Sequence, residues 1–260
     1  MVENDISSIQ NPKIKLLTAL QKKSAERRSR GVFVVEGQRE LQHCVEAGFE
    51  VESLFVCKEL FTGDFNVKNA AVYTVSPKVY EHIAYRGSTE GVVAVVKCRE
   101  RSLDDLQLGE TPLIIVVESV EKPGNLGAVL RSADAAKADA VIVCDPLTDL
   151  YNPNLIRASI GAVFTVPVIA CDSSACIDFL KSKNIQILTA QLQDSSLYYE
   201  TDMRRGIAIV MGTESTGLTQ QWRLAADAHI RIPMLGRLDS LNVSVSAAIL
   251  LYEAVRQRKK

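Results

Sequence analysis

Hydrophobic positions along this chain follow two rhythms. In N-P-K-I-K-L-L-T-A-L-Q-K-K-S-A-E-R-R-S-R (11–30), Ile14, Leu17 and Leu20 recur at helical spacing with Leu16 beside them, which predicts an amphipathic helix. G-V-F-V-V-E-G then reads as a strand ending at Gly37, and Q-R-E-L-Q-H-C-V-E-A-G as a helix stopping at Gly48. V-E-S-L-F-V-C and A-A-V-Y-T-V read as strands. Ser76 and Pro77 are an N-cap and a first helical residue for S-P-K-V-Y-E-H-I-A, and G-V-V-A-V-V-K closes the unit as a strand. The polar stretch C-R-E-R-S-L-D-D-L-Q-L-G-E-T-P reads as a linker.

From Pro112 the pattern becomes regular. L-I-I-V-V-E-S-V shows no alternation, as a strand buried on both faces requires. A helix is expected over about Leu126 to Lys137, then A-V-I-V-C-D as strand, Asn154 to Gly161 as helix and F-T-V-P-V-I-A as strand. C-I-D-F-L-K-S-K (helix), I-Q-I-L-T-A and G-I-A-I-V-M-G (strands), L-T-Q-Q-W-R-L-A-A-D (helix) and A-H-I-R-I-P-M (strand) follow, and a long helix starts at Asn242. Alternating β and α elements predict a parallel sheet with helices on both faces. The fold class is therefore α/β in two domains, 1–105 and 106–260.

The chain has 260 residues, 47% hydrophobic and 23% charged, with a net charge of -1. Nothing global marks a nucleic-acid binder, so such a role must rest on local patches. One patch exists: residues 11–30 carry seven Lys/Arg and a single Glu. It reads either as a solvated helix face or as a phosphate-tracking surface that includes Lys22, Lys23, Arg27 and Arg28. The six cysteines include no C-x-x-C pair, and the His–Cys spacings do not suit zinc, so buried free thiols and no metal are expected. The first residues are polar and acidic rather than signal-like, and no apolar run reaches the roughly 20 residues of a membrane span. A cytoplasmic protein is expected.

Three glycine-bearing loops stand at strand ends in the second half, where open α/β sheets bind ligands: E-K-P-G-N-L-G, M-G-T-E-S-T-G and M-L-G-R-L-D-S-L-N-V-S. Asn125 is placed to cap a helix. Arg131 follows among the small residues Gly127, Ala128 and Ala135; it reads either as a solvated arginine or as a phosphate or hydroxyl clamp. Glu214 lies between Gly212 and Gly217 and has three readings: binding loop amides, pairing with an arginine, or meeting a ligand. Ser240 and Asn242 precede a helix whose first turns are slim, with Ser244, Ser246, Ala247 and Ala248.

Taken together, N-L-G-A-V-L-R-S-A-D-A, I-V-M-G-T-E-S-T-G-L and I-P-M-L-G-R-L-D-S-L-N-V-S-V-S-A-A-I-L-L-Y-E resemble the three ordered motifs of the SpoU (TrmH-like) family of RNA ribose methyltransferases, in the SPOUT superfamily. N-P-N-L-I-R-A-S-I-G-A-V-F also fits, and the likeness covers roughly residues 112 to 258. Residues 30 to 98 more weakly resemble the small L30e-like substrate-binding domain that many members carry. The resemblance implies a C-terminal trefoil knot, a homodimer with each site near the interface, S-adenosylmethionine as methyl donor, and a 2'-O-methylated ribose in RNA as product. It also implies that Gly212, Ile232 and Leu241 contact the donor through their backbone, with Ala190 and Met234 lining the same pocket. Asn125, Arg131, Glu214, Ser240 and Asn242 match the polar active-site set, and Arg157 matches a substrate-side arginine. Lys137 departs from the pattern, since a helix-ending glycine is expected there.

The implied chemistry needs no metal, because a sulfonium donor carries its own leaving group. Alignment can supply up to roughly 7–11 kcal/mol, and a general base adds about 10²- to 10⁴-fold. The family's arginine is often cast as that base, but a guanidinium rarely gives up its proton. Arg131 is therefore read as gripping a phosphate or the developing alkoxide, oriented by Glu214 and Asn125. The two-domain layout resembles that of the family members acting on ribosomal RNA, which implies ribosomal RNA as substrate, with transfer RNA as the alternative. Two rivals stand outside this reading: a non-catalytic RNA-binding protein on the same fold, and a dinucleotide-dependent enzyme, which the missing G-x-G-x-x-G opposes.

Overall fold

The computed structural model describes residues 4–63, 67, 69–85, 90–213 and 216–259. Along the chain run β1 (Asn4–Ile6), α1 (Pro12–Lys22), α2 (Ser24–Arg30), β2 (Val32–Glu36), α3 (Gln38–Glu46), β3 (Val51–Val56), β4 (Ala71–Val75), α4 (Pro77–Ile83) and β5 (Val92–Lys97). Then come β6 (Leu113–Glu118), α5 (Pro123–Ala135), β7 (Ala140–Cys144), α6 (Pro153–Ala158), α7 (Ala162–Thr165), β8 (Val168–Cys171) and α8 (Ser173–Ser182). The last are β9 (Gln186–Ala190), β10 (Ser196–Leu197), β11 (Ile207–Met211), α9 (Gln220–Ala225), β12 (Ala228–Arg231) and α10 (Val243–Arg258). They form two units, Met1–Glu100 with Asp149–Thr165, and Arg101–Thr148 with Val166–Lys260.

The first unit holds a mixed five-stranded sheet in the order β1-β4-β3-β5-β2. β5 runs antiparallel to both β2 and β3; the remaining pairs are parallel. Ile14, Leu17 and Leu20 of α1 are buried in its core, as their spacing predicts. The basic helix expected over 11–30 is instead two helices, because Lys23 takes an extended conformation between them. β1 was not legible, being three residues with little hydrophobic signal. Ser76 caps α4 through a bond from the Val79 amide, with Pro77 at the first position.

Asp149–Thr165 lies inside the expected second domain, yet it packs in the first unit. Tyr151 stacks on Phe33 with ring centroids 4.3 Å apart, and Phe164 stacks on Phe33 at 5.9 Å. The Tyr151 hydroxyl donates to the Arg99 carbonyl at 2.8 Å. F-T-V-P-V-I-A is split for the same reason: Phe164 and Thr165 belong to α7, and the strand begins at Val168.

The second unit holds a seven-stranded sheet in the order β10-β12-β9-β11-β6-β7-β8, every neighbour parallel. β6, β7 and β11 are buried from end to end, consistent with their unbroken apolar runs. The linker stretch is not free: Leu103, Leu106 and Leu108 pack against this unit's core. α10 packs along α5. At its far end the Arg258 guanidinium donates to the carbonyls of Met203, Thr111, Pro112 and Arg205, fastening the helix to segments that lead into β6 and β11. Burial lowers the Arg258 pKa, with Asp139 opposing.

Candidate active site

Parallel strands put the loops after β6, β9, β11 and β12 at one edge of the sheet, where a ligand finds exposed backbone and helix N-termini. The loops after β9, β11 and β12 surround a cavity of about 450 Å³. Ala190 and Gln191 line it from the end of β9, Gly212, Thr213, Gly217 and Leu218 from the β11 loop, and Ile232, Met234, Ser240 and Leu241 from the long loop after β12. Thus Ala190, Gly212, Ile232, Met234 and Leu241, the five residues matched to the donor pocket, lie around one space. A smaller cavity of about 160 Å³ shares the wall formed by Gly212, Thr213 and Val243, and is otherwise lined by residues 119–122 and Asn125.

The β11 loop doubles back tightly. Thr213 and Gly217 pair as an isolated bridge, with the Gly217 amide donating to the Thr213 carbonyl at 3.1 Å. Gly217 has φ +68°, and a Cβ on Gly212 would collide with the backbone of Gly217 and Leu218. The far side of this loop is tethered to the sheet. Glu118, buried at the end of β6, accepts from the Thr219 amide at 2.9 Å and hydroxyl at 2.7 Å. Ser173 accepts from the buried Trp222 indole at 3.0 Å in the same network. Glu118, Ser173 and Trp222 were not singled out from sequence, because only the fold brings positions 118, 173 and 219 together.

The polar residues divide. Asn125 and Asn242 meet, with Asn242 Nδ2 donating to Asn125 Oδ1 at 3.1 Å. Asn242 also caps α10, its Oδ1 accepting from the Ser244 amide at 3.0 Å and hydroxyl at 2.7 Å. Asn125 is not the helix cap the sequence suggested. Pro123 starts α5 and Lys122 holds the cap position, which puts Asn125 inside the first turn with its side chain turned to Asn242. Ser240 donates to Asp239 at 3.2 Å, and both line the larger cavity. Arg131 is exposed and lines neither cavity; among the described residues it makes no side-chain hydrogen bond or ion pair. Glu214 lies outside the described residues.

Arg157 belongs to the first unit. It bonds Asn154 Oδ1 at 2.5 Å, stacks over the Tyr85 ring at 3.5 Å and pairs with Glu36 at 3.8 Å. Burial raises the Glu36 pKa, with the Tyr85 amide and Arg157 opposing. In the basic segment, Lys22, Lys23 and Arg28 are exposed, but Arg27 is a correction. It is buried, with Nε on Asp149 at 2.7 Å and Nη1 on the Leu20 carbonyl at 2.6 Å, so it braces the unit and faces no solvent. An alternation of exposed and buried charges within one short helix left no trace in composition.

Two polar atoms at the larger cavity are buried without a hydrogen-bond partner among the described residues: Gln191 Oε1 and Arg223 Nε. A buried orphan acceptor and donor are costly unless a ligand satisfies them. They suit a donor molecule that is itself rich in amino, carboxylate and hydroxyl groups, and the apolar Met211, Leu218, Ile230 and Ile232 beside them suit its purine ring. The residues present therefore fit S-adenosylmethionine. Neither Gln191 nor Arg223 was singled out from sequence, since neither stands in a glycine loop.

Residues 112–252, more than half of the chain, match the model of the SpoU rRNA methylase family. The chain belongs to this family. Residues 11–94 match the model of an MRM3-like substrate binding domain. The 23S rRNA (guanosine-2'-O-)-methyltransferase RlmB of Bordetella pertussis is 37% identical over 195 residues, which span 72% of this chain and 79% of that protein. A crystal structure of an RNA 2'-O ribose methyltransferase matches with a TM-score of 0.83 and 40% identity, covering 98% of this chain and 99% of the other. The SpoU methyltransferase AviRb from Streptomyces viridochromogenes, in complex with AdoMet, matches with a TM-score of 0.88 and 27% identity, covering 96% and 98%. Family membership and the cavity's chemistry converge on S-adenosylmethionine as cofactor.

Proposed function

We propose that this chain transfers a methyl group from S-adenosylmethionine to a ribose 2'-hydroxyl of ribosomal RNA. It is an S-adenosylmethionine-dependent RNA 2'-O-methyltransferase, and the observation that carries the reading is the convergence of three separate loops on one cavity beside the Asn125–Asn242 amide pair. When bound, the donor supplies a methyl group on a sulfonium that is its own leaving group. The backbone at Gly212, Ile232 and Leu241 and the side chains of Gln191 and Arg223 would hold it in the larger cavity. The smaller cavity is where the ribose enters, and its shared wall at Gly212, Thr213 and Val243 sets the two reactants side by side. Asn125 and Asn242 fix each other at its rim, so an incoming hydroxyl meets amides already oriented. The 2'-hydroxyl, present only in RNA, is both recognition handle and nucleophile.

Further parts of the reading go beyond the single chain. The enzyme is a homodimer, and because Arg131 lines neither cavity of its own chain, Arg131 of the partner subunit completes the site as a phosphate or alkoxide clamp with Glu214. The C-terminal segment is threaded as a trefoil knot, a reading that rests on the likeness to the SpoU family. Residues 1–105 serve as an L30e-like RNA-binding domain, with Lys22, Lys23 and Arg28 tracking phosphates, and 106–260, apart from the 149–165 segment that packs in the first unit, as the catalytic domain; Arg157, in that segment, is the substrate-side arginine. The protein works in the cytoplasm, and among the described residues no helix is long and apolar enough to cross a membrane.

The test is transfer of labelled methyl from S-adenosylmethionine to total RNA from cells lacking this protein, with the RNA separated by size and digested to nucleosides. The expected product is a 2'-O-methyl nucleoside from large ribosomal RNA. Label in the transfer RNA fraction would keep the chemistry and overturn the substrate. No label on any RNA, ribosome assembly intermediates included, with donor binding demonstrated, would favour a non-catalytic RNA-binding protein.

A further inference from the structure

We propose that Cys144, Cys171 and Cys176 form a trithiolate site for one thiophilic d10 metal ion, separate from the donor cavity. Their three sulfurs lie within 4.8 Å of one another. They come from three elements. Cys144 ends β7, Cys171 ends β8 as its direct partner across the parallel pair, and Cys176 stands in the first turn of α8. Register partners on neighbouring strands point to the same face of a sheet. α8 covers that face, with Cys144 and Cys176 in the same core cluster. The spacing along the chain, 27 and then five residues, hides the cluster from any motif search.

The geometry is close to what such an ion requires. Three sulfurs each about 2.3 Å from one ion lie roughly 4 Å apart in a trigonal plane. From a spread of at most 4.8 Å, each sulfur needs to move by less than about half an ångström. Cys144 and Cys176 are fully buried, whereas Cys171 is half-buried and offers the way in. Binding would strip the protons from all three thiols. Sulfur-only ligation selects soft ions. No fourth His, Cys, Asp or Glu joins the group among the described residues, which favours three-coordinate ions over the four-coordinate zinc of structural sites. Three thiols can also pack a core simply as small apolar groups, and ion uptake separates the two cases.

The test titrates the full-length protein, kept reduced by a phosphine, with Cd(II) in one arm and Cu(I) in the other. The readouts are native mass spectrometry, the ultraviolet thiolate-to-metal absorption, and the alkylation rate of Cys171 against that of Cys98, also half-buried. One ion per chain is expected in at least one arm, with alkylation of Cys171 slowed at least tenfold and that of Cys98 unchanged. Uptake of Cd(II) alone assigns a divalent ion, and of Cu(I) alone a monovalent one. Cys171→Ser should lose the ion while Cys98→Ser keeps it. Failure to take up either ion would overturn the site, as would uptake that leaves Cys171 equally reactive. The wild-type alkylation arm decides the matter even if Cys171→Ser folds poorly.

Discussion

At Gly212 a single methyl group decides whether the β11 loop can double back on itself, because an added Cβ meets the Gly217 and Leu218 backbone. Gly212→Ala should therefore cost about 1–3 kcal/mol of donor binding, a roughly 5- to 150-fold rise in Kd by titration calorimetry. Unchanged affinity would mean that the loop wall is not part of the donor site. The arginines of the basic segment make the opposite point, that one residue type does two jobs. Arg27 is buried against Asp149, so Arg27→Ala should destabilise the fold by about 3–5 kcal/mol in denaturant unfolding. Lys22→Glu, Lys23→Glu and Arg28→Glu fall on exposed positions, and should leave unfolding unchanged while weakening RNA binding and flattening its salt dependence. If the triple variant binds RNA normally at low salt, the segment has no part in substrate capture. The residues around the larger cavity were legible through the likeness to the SpoU motifs, the glycine loops at strand ends showing only where a ligand would lie. Arg223 and Gln191 were not, because an orphaned atom exists only once the cavity does.

At the level of elements, α5 shows a local rule broken and tolerated. It ends with Lys137 at φ 54°, where the family pattern suggested glycine, and the amides of Lys137 and Ala138 still close onto the Asp134 and Ala133 carbonyls. A side chain in that left-handed region is strained. Lys137→Gly should stabilise the protein by about 0.5–1 kcal/mol, raising the Tm by about 1–4 °C without altering methyl transfer. A lowered Tm would show that the lysine makes a compensating interaction. Most elements were readable from hydrophobic period alone. Two exceptions share one cause: β1 and β10, three and two residues long, carry too few positions for a period to register. The segment around α6 and α7 was misassigned because its aromatic residues answer to Phe33, more than 100 positions away in sequence.

For the molecule as a whole, buried thiols give stability a sign in alkaline solution. Burial pushes the Cys44 thiol up to about 12, with Arg99 opposing, against an ordinary value of 9.0. A raised folded-state pKa gives stability that is complete below pH 9 and is lost as pH rises toward 12, since only the unfolded chain releases the proton there. The unfolding free energy should fall by up to about 1.4 kcal/mol per pH unit above pH 9 for this thiol, and Cys44→Ala should flatten that slope. The proposed dimer has a sharper test. Arg131→Ala and Gly212→Ala, each impaired alone when the donor is held well below the Kd of the Gly212→Ala chain, should regain activity when mixed and allowed to exchange subunits, because one site of the mixed dimer then has both an intact donor loop and the partner's Arg131. No recovery in a demonstrably mixed dimer would place Arg131 in its own chain's site. By itself the sequence determined the α/β class, most of the order of elements and three glycine-bearing loops at strand ends, because these rest on local periodicity and on glycine. Only the tertiary structure decided which charges face water, that residues 149–165 pack in the first unit, and that Glu118, Ser173 and Thr219 or three distant cysteines share a point in space, since burial and proximity are properties of the packed chain.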